Sequence, residues 1–216
     1  MNNSAPAHIV VEGPIGVGKT SLARRLADSL GAELMLERAE ENPFLERFYR
    51  EPGHAALPTQ LYFLFQRSRQ MRDLKQGDLF RPALVCDFML EKDRLFAQVT
   101  LDADELDLYE QVYERVAIEA PLPDLVVYLQ APVEVLLRRI KKRGVSCEQK
   151  IDAAYLERLA RAYADFFHHY HSAPLLIVNA AQINPVASEL DYTSLLQRIR
   201  EIRGGRHYFN PAPFEI

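Results

Sequence analysis

The chain has 216 residues, 48% hydrophobic and 26% charged, and its 26 lysines and arginines against 30 aspartates and glutamates give a formal net charge of −4. That length suits one well-buried core, and that composition excludes collagen-like, low-complexity and disordered classes. The acidic balance excludes polymeric nucleic acid as the main partner, and no run of about eighteen apolar residues is available to cross a membrane.

The N-terminal stretch is polar and shows no secretory or transit peptide. Apolar runs at 9–12, 33–37, 83–87, 125–129 and 175–179 then alternate with longer amphipathic stretches. This alternation predicts an α/β domain over residues 1–216, with a five-stranded parallel sheet flanked by helices. After the first strand, Leu22, Leu26 and Leu30 recur at helical spacing and Gly31 ends the helix. Helical spacing returns over 59–75 and 104–118, and Pro121 and Pro123 separate the latter from the fourth strand. Pro132 opens a helix whose apolar face is Val133, Leu136, Leu137 and Ile140 and whose other face carries Arg138, Arg139, Lys141, Lys142 and Arg143. A further helix is expected over 155–169, and 204–216, with two glycines and two prolines, reads as an irregular tail.

Two cysteines, Cys86 and Cys147, stand far apart without a second pair, so neither a zinc ribbon nor a disulfide framework is expected. Cys86 lies in an apolar strand and reads as a core residue; reduced thiols fit a cytoplasmic protein. His168, His169 and His171 read as a partly buried contact rather than a metal site. Tyr62, Phe63 and Phe65 read mostly as core, with one ring available to stack on a base.

The decisive motif is Gly13-Pro14-Ile15-Gly16-Val17-Gly18-Lys19-Thr20, which satisfies GxxxxGK[ST] between a predicted strand and a predicted helix. Glycines let successive backbone N–H groups turn inward, the helix N-terminus adds positive potential, Lys19 meets the β- and γ-phosphates and Thr20 offers a hydroxyl to Mg²⁺. A nucleoside triphosphate site follows. The guanine-reading NKxD element and the DxxG switch of a GTPase are missing, as are the signatures of a ring ATPase. Instead Glu37 and Asp87 are expected to end the second and third strands, where ligands bind in open α/β sheets. Either carboxylate can hold Mg²⁺ or accept a proton from an attacking hydroxyl. Arg139 and Arg143 share one helical face, a spacing suited to clamping a transferring phosphoryl group.

These residues resemble the deoxynucleoside kinase family, especially its bacterial deoxyguanosine and deoxyadenosine kinases. The resemblance runs from Ile9 to Asn179 and rests on the P-loop, on Glu37 followed by the ENPFLERFY run that ends at Tyr49, and on Arg139-Ile-Lys-Lys-Arg-Gly144 with Glu148-Gln149. It implies a P-loop kinase with an arginine-bearing lid, using ATP and Mg²⁺ to phosphorylate the 5′-hydroxyl of a purine deoxyribonucleoside, and a homodimer. It further implies that Glu37 is the general base, that Tyr49 and Glu148 bond the 3′-hydroxyl, that Gln60 faces the base, and that Arg67 and Asp93 form the family's pair. Asp87 would join Thr20 at the metal, and Arg139 with Arg143 would close over the transfer. One departure stands out. The family's carboxylate-Arg-Ser sequence is here Asp87-Phe88-Met89, and Lys92 is expected to supply part of the missing charge. A second departure is Arg38-Ala39 after the glutamate, and Val145 stands where some relatives carry a third lid arginine. The alternatives are a nucleoside monophosphate kinase, for which Arg67, Arg69, Arg72, Arg81 and Arg94 are the available extra cations, and a nucleotide-binding regulatory protein without transfer activity.

Overall fold

A computed structural model describes residues 6–75, 83–116 and 120–210. Its parallel strands are β1 (His8–Glu12), β2 (Glu33–Met35), β3 (Leu84–Cys86), β4 (Leu125–Gln130), β5 (Leu175–Asn179) and β6 (Arg206–Phe209), in the spatial order β2-β3-β1-β4-β5-β6. The helices are α1 (Lys19–Leu30), α2 (Leu45–Arg50), α3 (Pro52–Lys75), α4 (Lys92–Thr100), α5 (Ala103–Val116), α6 (Val133–Arg143), α7 (Ala153–His168) and α8 (Glu189–Glu201). The central strands are continuous apolar runs because helices cover both faces. Val10, Val11, Val85, Val126 and Val127 are all buried.

From β1 the sheet grows first towards β3 and β2, then in the opposite direction through β4, β5 and β6. The chain reverses its direction of growth at β1, and the crevice of such a sheet opens beyond the carboxyl ends of its strands at that reversal. Register sets those ends at one level: Val10 pairs with Cys86 and Glu12 with Tyr128. α1 packs Leu22 and Leu26 against the sheet, and Gly31 caps it with a left-handed φ of 60° and an N–H donated to the Ala27 carbonyl. α6 buries Leu136 and Ile140 as its apolar stripe predicts. A smaller cluster of Leu64, Leu90, Ala97 and Tyr109 joins α3, α4 and α5.

The sheet has six strands, not five. β6 forms from Arg206–Phe209, inside the stretch read as an irregular tail, because parallel pairing with β5 satisfies a backbone that carries too few apolar side chains to signal a strand. β2 and β3 stop at Met35 and Cys86, so Glu37 and Asp87 lie just past the strands rather than in them. α3 begins at Pro52 and continues through Pro58, which removes one intrahelical bond without ending the helix. α2, α4 and α8 were not anticipated; residues 117–118 of the helix expected over 104–118 fall outside the described residues. Cys86 is buried as expected, and burial pushes its thiol up to about 12. Phe65 is more than half exposed, against its core reading, and His168, His169 and His171 are exposed rather than partly buried.

Candidate active site

The loop between β1 and α1 presses against β4 and α6. A Cβ at Gly13 would stand 2.3 Å from the Leu129 carbonyl oxygen, and one at Gly16, whose φ is +83°, would stand 2.7 Å from Ile140 Cγ1. Only glycine fits at such approaches. Lys19, first in α1, donates from Nζ to the carbonyls of Gly13 (2.7 Å) and Pro14 (3.3 Å), which arches the loop over its ammonium. Burial lowers the pKa of Lys19, and the neighbouring Lys92 charge adds to that effect.

Because β3 lies beside β1, Asp87 emerges next to Thr20. Its Oδ2 accepts the Thr20 hydroxyl at 2.5 Å and its Oδ1 accepts the Glu37 backbone N–H at 2.7 Å. One carboxylate therefore ties the loop to the segment after β2. A hydroxyl and a carboxylate so close are hard oxygen donors of the kind Mg²⁺ takes.

Glu37 turns its carboxylate towards two cations. Oε1 accepts Arg67 Nε at 2.7 Å in a fork that also engages Nη2, and Oε2 accepts Lys92 Nζ at 3.2 Å. Burial alone would raise the Glu37 pKa, but the Arg67 and Lys92 charges, the Arg67 hydrogen bond and Lys19 outweigh it and hold the carboxyl down at about 2. Arg67, from α3, also pairs with Asp93 of α4, and its guanidinium lies 4.8 Å from the centroid of Phe63. Arg67, Lys92 and Asp93 are all buried.

On the far side, Arg143 at the end of α6 pairs with Glu148, and Tyr49 from α2 closes the same wall. Burial, with Tyr155 and Glu148 nearby, pushes the Tyr49 phenol well above its ordinary value. Between these walls runs a cleft of about 1060 Å³, lined by Gly16, Lys19, Thr20, Arg24, Glu37, Tyr49, Phe63, Arg67, Asp87, Lys92, Phe96, Arg143 and Glu148 among others.

Most of the expected side chains meet there, with Ile15, Gly16, Lys19 and Thr20 of the loop; Gly13, Pro14, Val17 and Gly18 do not line the cleft, and neither do Arg139, Asp93 and Gln60. Arg139 turns away from the cleft and donates to the carbonyls of Val17 (3.1 Å) and Ala180 (2.7 Å), so the shared face with Arg143 does not become a shared target. Its guanidinium is held by the back of the loop. Asp93 lies beneath Arg67. Gln60 is buried in α3, and its Oε1 has no hydrogen-bond partner among the described residues. Of the extra arginines, only Arg67 lines the cleft; Arg94 pairs with Glu110 elsewhere, and Arg81 lies outside the described residues.

Sequence reading missed Glu12, a fully buried carboxylate at the end of β1. Its Oε2 accepts the Gly13 N–H (3.0 Å) and the Tyr163 hydroxyl (3.1 Å), and its Oε1 accepts the Met89 N–H (3.0 Å) and stands 3.5 Å from Lys92 Nζ. The available signal was an acid closing an otherwise apolar strand. Arg24, one turn after Thr20 on α1, and Gln70, whose Nε2 donates to the Leu36 carbonyl at 3.0 Å, also line the cleft unanticipated.

A family model described as deoxynucleoside kinase matches residues 9–203. The deoxyguanosine kinase of Bacillus subtilis is 31% identical over 209 residues, which span 93% of this chain and 99% of that protein. The deoxyadenosine kinase of Lactobacillus acidophilus is 29% identical over 207 residues, 89% of this chain and 94% of that one. Among solved structures, deoxyadenosine kinase from M. mycoides with bound dATP superposes with a TM-score of 0.77 at 27% identity, covering 89% of this chain and 99% of that one. The same enzyme with bound dCTP gives 0.77 at 26% identity.

Proposed function

This chain belongs to the deoxynucleoside kinase family and is a phosphotransferase, and from the charge pattern of its cleft we propose that it transfers the γ-phosphoryl group of ATP to the 5′-hydroxyl of a purine deoxyribonucleoside, deoxyguanosine or deoxyadenosine. The observation that carries the reading is the electrical balance of the acceptor wall. Arg67 is neutralised by Glu37 and Asp93, and Lys92 by Glu37 and Glu12. An acceptor that is already a phosphate ester would find the two buried cations of that wall, Arg67 and Lys92, already paired with carboxylates, and it would face the Glu37 carboxylate. A neutral sugar alcohol suits that wall. The monophosphate-kinase reading is correspondingly disfavoured.

In this mechanism the loop amides and Lys19 hold the triphosphate, and Arg139 keeps the loop in shape from behind. Thr20 and Asp87 would hold Mg²⁺, which supplies charge neutralisation to the donor phosphates. Glu37 accepts the proton of the 5′-hydroxyl. Its low pKa keeps it ionised, and in a loose transition state the proton leaves late, so placement matters more than basic strength. Tyr49 and Glu148 bond the 3′-hydroxyl, Arg143 follows the charge as it moves, and Gln60, with an amide oxygen to spare, serves the base edge. We place the enzyme in the cytoplasm, which two unpaired cysteines fit, as a single-domain subunit, which its length suits, of a homodimer, which the family resemblance implies.

The test is incubation with labelled ATP and Mg²⁺ against each deoxynucleoside and, separately, each deoxynucleoside monophosphate. Labelled monophosphate from deoxyguanosine or deoxyadenosine is expected. Transfer confined to monophosphate acceptors would overturn the assignment.

A further inference from the structure

Lys92 stands in the first turn of α4, with its side chain 3% exposed, yet it lines the cleft. An ammonium taken out of water is costly unless charges answer it, and here two carboxylates do: Glu37 Oε2 at 3.2 Å and Glu12 Oε1 at 3.5 Å. Those two acids come from different parts of the site. Glu37 is on the acceptor wall, whereas Glu12 directly precedes the loop that receives the triphosphate. Glu12 is itself held at four points, by the N–H groups of Gly13 and Met89, the hydroxyl of Tyr163 and the charge of Lys92. It therefore cannot swing to follow a mobile lysine, and Lys92 is drawn to it instead. An ammonium has three N–H donors. Glu37 accepts one of them at 3.2 Å and Glu12 stands at 3.5 Å, which leaves donor capacity for an oxygen arriving in the cleft.

Resting on the kinase reading, we propose that Glu12 is a positioning residue: it fixes Lys92 as an immobile cation at the transfer point, opposite Lys19 on the donor side, so that the oxygens of the transferring phosphoryl group pass between two fixed ammonium groups. The device couples the loop and the acceptor wall through one buried carboxylate. It takes the place in this chain that an arginine directly after Asp87 cannot fill, since Phe88 there is wholly buried. Interactions that strengthen only as charge moves raise kcat rather than lower KM.

The test is a double-mutant cycle of Glu12→Gln, Lys92→Met and the pair, with wild type and Lys92→Arg alongside. Steady-state kinetics with the accepted deoxynucleoside are combined with equilibrium titration of a non-hydrolysable ATP analogue. Each single variant is expected to lose roughly 10- to 100-fold in kcat, the range for one charge-assisted contact, with deoxynucleoside KM and analogue affinity within about threefold of wild type. The pair should lose no more than Lys92→Met alone, because Glu12 acts through Lys92, and Lys92→Arg should recover part of the rate. Should Glu12→Gln prove unfolded by circular dichroism, Tyr163→Phe reads the same link by removing one hydrogen bond that orients the carboxylate; a several-fold loss in kcat at constant KM is expected, and an unchanged kcat overturns the inference. Multiplicative losses in the pair, or a loss confined to KM or to analogue binding, would also overturn it while leaving the kinase reading intact. A wild-type chain inert towards every deoxynucleoside would overturn both.

Discussion

Glu37 shows how much a single side chain depends on its neighbours. Alone it is an acid near the end of a short edge strand; in place it is gripped by Arg67 and Lys92, and its backbone N–H is anchored by Asp87. Replacement by glutamine keeps the shape and removes the proton acceptor, so kcat should fall by about 10² to 10⁴ with little change in KM; initial rates over a deoxynucleoside series check this. The same group sets a stability signature. Its folded pKa is depressed from 4.5 to about 2, so its contribution is fully present above the unfolded value and is lost as pH falls through that window. Denaturant midpoints followed downward from about pH 6 should therefore fall more steeply for wild type than for Glu37→Gln, and the two curves should draw together on acidification. Parallel curves would mean that the Arg67 and Lys92 pairs do not form in solution.

Helix α6 divides two arginines that sequence spacing joins. Arg139 is bound to Val17 and Ala180 behind the loop, and Arg143 reaches Glu148 at the rim of the cleft. Arg139→Ala should raise KM for ATP roughly 10-fold or more through a loosened loop, whereas Arg143→Ala should act mainly on kcat, by about 10². Separate ATP and deoxynucleoside titrations distinguish the two. Strand β6 offers a contrasting case, remote from the chemistry. Arg206 donates to the carbonyls of Phe167 (3.0 Å), His168 (2.9 Å) and Tyr170 (3.2 Å), around the end of α7, where intrahelical donors run out; the Phe167 carbonyl also accepts the Tyr170 N–H (3.4 Å). Arg206→Ala should cost about 1–2 kcal/mol and lower Tm by roughly 2–8 °C while kcat stays at the wild-type value. A calorimetric scan beside a rate assay decides it.

At the scale of the whole molecule, the sheet order places β1 where the chain reverses its direction of growth, and it brings together acids widely spaced along the chain: Glu37 and Asp87, just past β2 and β3, line one crevice, while Glu12, the last residue of β1, is buried and reaches it through Lys92. The α/β alternation, the glycine-rich loop between β1 and α1, the apolar stripes of α1 and α6 and the core role of Cys86 are all legible in the sequence, because each rests on spacing within a short window: alternation of apolar runs, a glycine pattern, a 3.6-residue period. α8 was legible in principle, since Ser188 caps it by accepting the Asp191 N–H and Tyr192, Leu195 and Ile199 recur on its buried face. What the amino-acid order by itself determined is the class of fold, the glycine-rich loop between β1 and α1 and the family pattern. Only the tertiary structure decided that Lys92 bridges the carboxylates of Glu12 and Glu37, that Arg139 faces away from the cleft and that a sixth strand extends the sheet. Those outcomes depend on which buried charges find partners across distant segments, and a charge far from water takes its position from the charges around it rather than from its neighbours in the chain.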